Sequence, residues 1–187
     1  MKKVYMVHGW GGSSEDAWFP WLKEELEARG IEVFPLDMPH SDFPKIEEWV
    51  KELEYRIDEA DEESYFIGHS IGCQTILRYL EKLHKNARIG GCLFVAPWFN
   101  LINMNAEEME IAHPWINSRL DFGRIVEHST NFVSLFSGDD PYVPQSDQET
   151  FREKLGSKII VEKKRGHFEK GEEPSVLREA LKMLHLK

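Results

Sequence analysis

The sequence predicts an α/β protein, a single domain in which about six mainly parallel strands form a sheet with helices on both faces. Three observations carry that expectation. Short apolar runs alternate with stretches of helical periodicity from one end of the chain to the other. The 187 residues suit one sizeable core rather than two. One of the apolar runs leads straight through Gly68-His69-Ser70-Ile71-Gly72 into a helical pattern, a strand-turn-helix junction.

Taken in order, Lys3 to Val7 reads as the first strand. Glu15 to Arg29 carries Trp18, Leu22 and Leu26 at helical spacing and stops at Gly30. Ile31 to Leu36 is the second strand, and Phe43 to Ala60 is an amphipathic helix whose stripe is Ile46, Trp49, Val50, Leu53 and Ile57. Ser64 to Ile67 is the third strand, and a helix runs from Ser70 to about His84. Ile89 to Ala96, Asn131 to Ser137 and Lys158 to Val161 complete the strands, with helices over Ser146 to Leu155 and Pro174 to Leu186. Such a β-α repeat implies right-handed crossovers and a parallel sheet. The rhythm breaks once. Residues 97–128 are too long for a simple connection and hold Trp98, Phe99, Met104, Met109, Trp115 and Phe122, so they are expected to form a small cap over the strand ends or a helix pair on the sheet edge.

Composition narrows the partners. With 41% hydrophobic and 30% charged residues the chain is expected to be an ordinary soluble globule. Its formal charge of −10 disfavours nucleic acid and anionic membrane surfaces. The basic start, Met1-Lys2-Lys3, precedes an apolar run that ends at His8-Gly9, too short for a signal peptide, and no run reaches the roughly 20 residues of a membrane span. Cys73 and Cys92 fall in a helix start and a strand, so a cytoplasmic protein without disulfides is expected.

In a parallel α/β sheet the functional groups gather past the carboxyl ends of the strands. Ser70 follows the third strand, Asp139-Asp140-Pro141-Tyr142-Val143-Pro144 the fifth, and Gly166-His167-Phe168 the sixth. By chance Gly-x-Ser-x-Gly arises ~0.06 times in a chain this long, so its strand-and-helix setting is what gives it weight. A serine hydroxyl is a poor nucleophile until an imidazole takes its proton, which His167 supplies. The oxyanion formed by attack needs preset donors: the amide of Ile71, first after the nucleophile, and an amide of the loop after the first strand, at Trp10. That loop, Gly9-Trp10-Gly11-Gly12-Ser13-Ser14, lacks the third glycine of a dinucleotide fingerprint, so no cofactor is expected. The other histidines show no i, i+4 pair, so no metal is expected either; His8 and His40, past neighbouring strand ends, are the ones that could serve as ligands or supports. His69, at the variable place in the turn, is expected to point away from the chemistry.

These residues carry a resemblance. The His8-Gly9-Trp10-Gly11-Gly12 loop, the Gly-His-Ser-Ile-Gly turn, the Gly138 to Pro144 segment and Gly166-His167-Phe168 resemble the compact α/β-hydrolases typified by retinoblastoma-binding protein nine and its bacterial relatives, over nearly the whole chain. The resemblance implies an α/β-hydrolase fold lacking the two N-terminal strands of larger members, and a Ser-Asp-His triad. It favours Asp140 over Asp139 as the acid, because Asp140 sits in the Asp-x-x-Val-Pro frame; Asp139 is then expected to cap its own loop. The chain departs from the family at Pro39-His40, where relatives tend to carry Pro-Asp. The expected activity is cleavage of small acyl esters through an acyl-enzyme, with Trp10, Trp98, Phe99 and Trp115 lining the pocket. The alternatives are a thioesterase, amidase or acyltransferase using the same triad, or a spent hydrolase scaffold serving as an interaction module.

Overall fold

A computed structural model describes residues 1–186. Six strands, β1 (Lys3–Val7), β2 (Glu32–Leu36), β3 (Ser64–His69), β4 (Gly91–Val95), β5 (Phe132–Ser137) and β6 (Lys158–Glu162), form one sheet in the order β2-β1-β3-β4-β5-β6. Every neighbouring pair is parallel. Period-two alternation divides the core in two. Tyr5, Val7, Phe66, Cys92 and Phe94 face one side, while Val4, Met6, Tyr65, Ile67, Leu93 and Val95 face the other.

On the first side pack α2 (Ile46–Arg56), α3 (Ile71–Lys82), α5 (Phe122–His128) and α6 (Asp147–Leu155), through Trp49, Leu53, Ile76, Leu80, Ile125 and Phe151. On the second side pack α1 (Phe19–Glu27) and α7 (Pro174–Met183), through Phe19, Leu22, Leu26, Val176 and Ala180. A remaining helix, α4 (Ala106–Asn117), lies between β4 and α5 and is started by a capping box between Asn105 and Glu108.

Two helices start later than their periodicity suggests. The first begins at Phe19 rather than Glu15 because the preceding residues form a turn, with Ser13 Oγ donating to Asp16 and the Ser14 amide to Asp37 Oδ1 at 2.7 Å. The second begins at Ile46 because Pro44, followed by the extended Lys45, is incompatible with helix before it. At the far edge of the sheet β2 carries Pro35, in register with Met6.

The order matters for function. From β1 the chain goes to β2 on one side, then crosses to β3 on the other. In such sheets a crevice opens where the strand order reverses, so the connections leaving the carboxyl ends of β1 and β3 diverge around a gap.

Candidate active site

Ser70 stands at that gap. Its backbone is in the left-handed region (φ 53°, ψ −121°), a conformation that an L-residue holds only when the surroundings impose it. What imposes it is close packing of strand against helix. A Cβ on Gly68 would come within 2.8 Å of the Cys73 amide nitrogen, and one on Gly72 would sit on the carbonyl of Val7. The Ser70 amide is tied to the Val95 carbonyl at 2.9 Å, which pins the turn to β4. Ile71 follows as the first residue of α3, where a helix leaves its amide without an intrahelical partner and the macrodipole favours negative charge.

Across the gap the loop after β1 is held by His8. One ring nitrogen, Nδ1, donates to the Gly9 carbonyl at 2.8 Å, and Nε2 accepts from the Met38 amide at 2.9 Å. Burial keeps this imidazole neutral by lowering its pKa. Both nitrogens are therefore spent on tying β1 to the loop after β2, which removes His8 as a metal ligand. His40 is exposed, pairs with Glu48 at 2.9 Å, and lies outside the cavity.

The two aspartates after β5 divide their work. Asp140 accepts from His167 Nδ1 at 2.8 Å (Oδ2) and 3.1 Å (Oδ1), and its Oδ1 also accepts the amides of Tyr142 and Val143 at 2.9 and 3.1 Å. The imidazole is thus oriented with Nδ1 as donor and Nε2 left to accept. Tyr142 packs edge-on against the same ring, with centroids 5.2 Å apart. Asp139 also reaches beyond its own loop: besides Ser137 Oγ (2.6 Å) within it, it accepts the amides of Gly166 (2.9 Å) and Arg165 (3.0 Å), across on the segment that carries His167. These bonds, the Ser137 hydroxyl first, hold its carboxyl below the ordinary carboxylate range.

Ser70, His167, Trp10 and Trp98 line one cavity of about 650 Å³, roofed by the start of the 97–128 segment through Leu101, Met104 and Ile111. Asp140 lies behind His167, out of the cavity wall. Of the carboxylates on the wall, Asp16, Asp42, Glu107, Glu108 and Glu169, none faces a Lys or Arg there.

Three expectations need correction. Phe99 stacks on Phe151 (4.5 Å between centroids) and meets Phe122 edge-on, so it belongs to the core and not to the cavity wall. Trp115 is also core: it is 1% exposed, donates to the Pro44 carbonyl at 3.0 Å, and packs edge-on against Trp49. Both lie on the inner face of the cap, where apolar surface is drawn to the sheet. His69 does not point away. As the last residue of β3 it continues the alternation of Tyr65 and Ile67 onto the α1 side, and its Nε2 donates to the His167 carbonyl at 2.7 Å. Burial, and next the neighbouring His167, push its pKa down to about 3. What the sequence reading missed is a bond from Trp98 Nε1 to Ser70 Oγ at 3.2 Å, for which a lone tryptophan in a loop gives no signal.

Among the described residues no helix is long and apolar enough to cross a membrane, and no group of three or more His, Cys, Asp or Glu is arranged to hold a metal ion.

The chain is similar to the ydeN gene product of Bacillus subtilis, with 30% identity over 167 residues, 89% of this chain and 86% of that one. The crystal structure of that protein superposes with a TM-score of 0.90, covering 99% of this chain and 100% of the other. Serine hydrolase RBBP9 of Rattus norvegicus is 24% identical over 185 residues, 97% of this chain and 95% of its own. Est1E of Butyrivibrio proteoclasticus, solved with ferulic acid bound, shares the fold (TM-score 0.75, 13% identity, 99% of this chain and 90% of that one). The sequence profile described as serine hydrolase matches residues 4–185. With that match over nearly its whole length, on an α/β-hydrolase sheet, the chain belongs to the serine hydrolase family.

Proposed function

We propose that the protein is a carboxylic-ester hydrolase that works through an acyl-enzyme on Ser70. The observation that carries this reading is the pairing of His167 Nδ1 with Asp140 at 2.8 Å, beside a serine held in the left-handed region at the mouth of a 650 Å³ cavity. With Nδ1 committed as a donor, Nε2 takes the Ser70 proton as Oγ attacks the ester carbonyl. The oxyanion accepts from the amides of Ile71 and Trp10, at the positive end of α3. Collapse breaks the bond to the alcohol, which leaves with the proton from His167 Nε2. Water then repeats the sequence on the acyl group. Asp140 holds Nδ1 throughout and stabilises the imidazolium.

The cavity wall supports a substrate class. Trp10, Phe19, Phe43, Leu101, Met104 and Ile111 suit a small or medium apolar acyl or alcohol group. Five carboxylates with no Lys or Arg among them favour neutral or cationic esters over anionic ones. Cys73 and Cys92, both free and buried, support a reducing, cytoplasmic setting.

A fluorophosphonate probe tests the assignment. It labels the wild type and leaves Ser70→Ala untouched, while a panel of matched esters, thioesters and amides is turned over fastest as esters. A folded wild type that takes no label sinks the enzymatic reading and leaves the interaction module; thioesters or amides turned over faster move the same triad to those substrates.

A further inference from the structure

The bond between Trp98 and Ser70 is unusual in its chemistry. An indole N–H only donates, so at 3.2 Å from Oγ it occupies a lone pair of the hydroxyl. The hydroxyl proton must then be directed elsewhere; His167 Nε2 and His69 Nδ1 are the unprotonated ring nitrogens on this cavity wall, and His167 is the one whose other nitrogen is paired with a carboxylate, so that an added proton is stabilised there. A second consequence follows from charge. A neutral N–H···O contact of 3.2 Å is long, and it shortens and strengthens when its acceptor becomes anionic.

Trp98 is built to stay where it is. It is 1% exposed, so it presents little more than its edge to the cavity. Ala96, in the left-handed region (φ 48°), turns the chain off β4 toward it. The Trp98 carbonyl accepts from Gln74 Nε2 at 3.0 Å. Arg78, buried on the same face of α3, donates to Gln74 Oε1 at 3.2 Å and to the Trp115 carbonyl at 3.0 Å. On the other side, the buried Asp147 accepts the amides of Phe99 (2.6 Å) and Asn100 (2.8 Å), the two residues that follow. A chain of polar contacts therefore runs from the cap helix α4, through Arg78 and Gln74, to the residue that touches the nucleophile.

We propose that the Trp98 indole N–H is a fixed donor to Ser70 Oγ, which aims the hydroxyl proton at His167 and stabilises Oγ as that proton leaves. This rests on the reading of Ser70 as the nucleophile. In acylation the Oγ–H bond breaks and its proton goes to His167 Nε2. The Oγ–C bond forms, and the carbonyl π electrons become the oxyanion. The indole keeps its own proton throughout. As negative charge passes from Oγ to the carbonyl oxygen, the work of stabilisation passes from Trp98 to the amides of Ile71 and Trp10. The side chain thus acts before the oxyanion exists, which sets it apart from those two donors.

The test removes the N–H and keeps the ring. In Trp98→Phe, the second-order rate of Ser70 phosphonylation by a small fluorophosphonate and kcat for a short ester both fall about 10- to 100-fold, the range for a hydrogen bond to a charged group. KM and acyl-chain preference stay within about twofold. A role in packing alone predicts the opposite split, with KM and chain preference moved and phosphonylation unchanged. Replacing Trp98 by the isosteric benzothienylalanine, which has sulfur in place of N–H, repeats the loss without a change of volume and settles the matter if the Phe variant does not fold. Phosphonylation within about twofold of wild type in either folded variant, or faster than wild type, overturns the proposal. A wild type that takes no label overturns the assignment of Ser70 itself, and the two failures are thereby told apart.

Discussion

The floor of the cavity and its roof are held in different ways. The floor is made of loops at the ends of β1, β3, β5 and β6, and its bonds are mostly to backbone: Ser70 to Val95, His8 to Gly9 and Met38, Asp139 to Arg165 and Gly166, Asp140 to Tyr142 and Val143. The roof comes from Trp98 to Ile111, and side chains hold it and the rest of α4 to distant parts of the chain. Trp115 reaches Pro44, Phe99 lies against Phe151, and Asp147 fastens Phe99 and Asn100. A floor tied to nearby backbone by the side chains of His8, Asp139 and Asp140 fixes the groups around Ser70 locally. A roof built from side chains is free to vary, and with it the molecule that fits beneath.

That contrast can be broken experimentally. The largest effect belongs to the floor. Asp140→Asn loses the correct imidazole tautomer, so kcat falls by roughly 10³- to 10⁴-fold, as for the equivalent change in a serine protease triad. Asp139→Asn falls by about tenfold or less, since it weakens only the tether on the His167 segment. Steady-state kinetics on the two variants decide it; a worse Asp139→Asn means that the two aspartates have been assigned the wrong way round.

On the roof, Trp115→Leu opens space beneath α4. Unfolding by denaturant should show a loss of about 3 kcal/mol, within the range for removing a buried large side chain. The rate at which Ser70 takes a fluorophosphonate should change by no more than a few fold, while KM rises. If Ser70 reactivity collapses along with stability, floor and roof are one mechanical unit.

Acid reveals the strand-end histidine. In the unfolded chain His69 takes a proton near its ordinary 6.5; in the fold it resists until about 3. The unfolded state therefore binds more protons between those values, and stability falls as the pH drops through that window, at up to about 1.4 kcal/mol per pH unit for a single group. Denaturation midpoints at pH 7 and pH 5 measure the slope. His8, whose pKa is also lowered by burial, acts in the same direction. Stability that stays level from pH 7 to pH 4.5 contradicts the burial of both rings in neutral form.

The smallest effect tests the wall. At low ionic strength an ester bearing a carboxylate should have a kcat/KM several-fold below that of its neutral methyl analogue, with the gap narrowing as salt is added. Equal values at every salt concentration show that Asp16, Asp42, Glu107, Glu108 and Glu169 do not govern access.

The same contrast explains what could be read from the amino acids alone. The β-α alternation and the elbow are local patterns of period two, period 3.6 and five residues, so the strands and the place of Ser70 were legible. The Asp139–Asp140 pair and His167 were legible as neighbours because strand ends collect in space, while the choice of Asp140 between the two came from the resemblance. Trp115 and Phe99 were not, since an aromatic side chain on an amphipathic segment looks the same whether it lines a pocket or fills a core, and only partners such as Pro44 and Phe151, 71 and 52 residues away, tell them apart. His69 was misread because the alternation of β3 runs two residues beyond Ile67, where the apolar run ends.

Pro35 has a consequence beyond the site. A proline lacks the N–H of a ladder and is tolerated in an edge strand with its nitrogen on the open side. A second molecule adding a strand alongside β2 would meet a missing donor midway along its length. The opposite edge carries exposed Val161 between Lys158 and Lys163, and lysine on an open strand discourages the same kind of pairing. Both margins of the sheet thus carry residues that disfavour the addition of another strand.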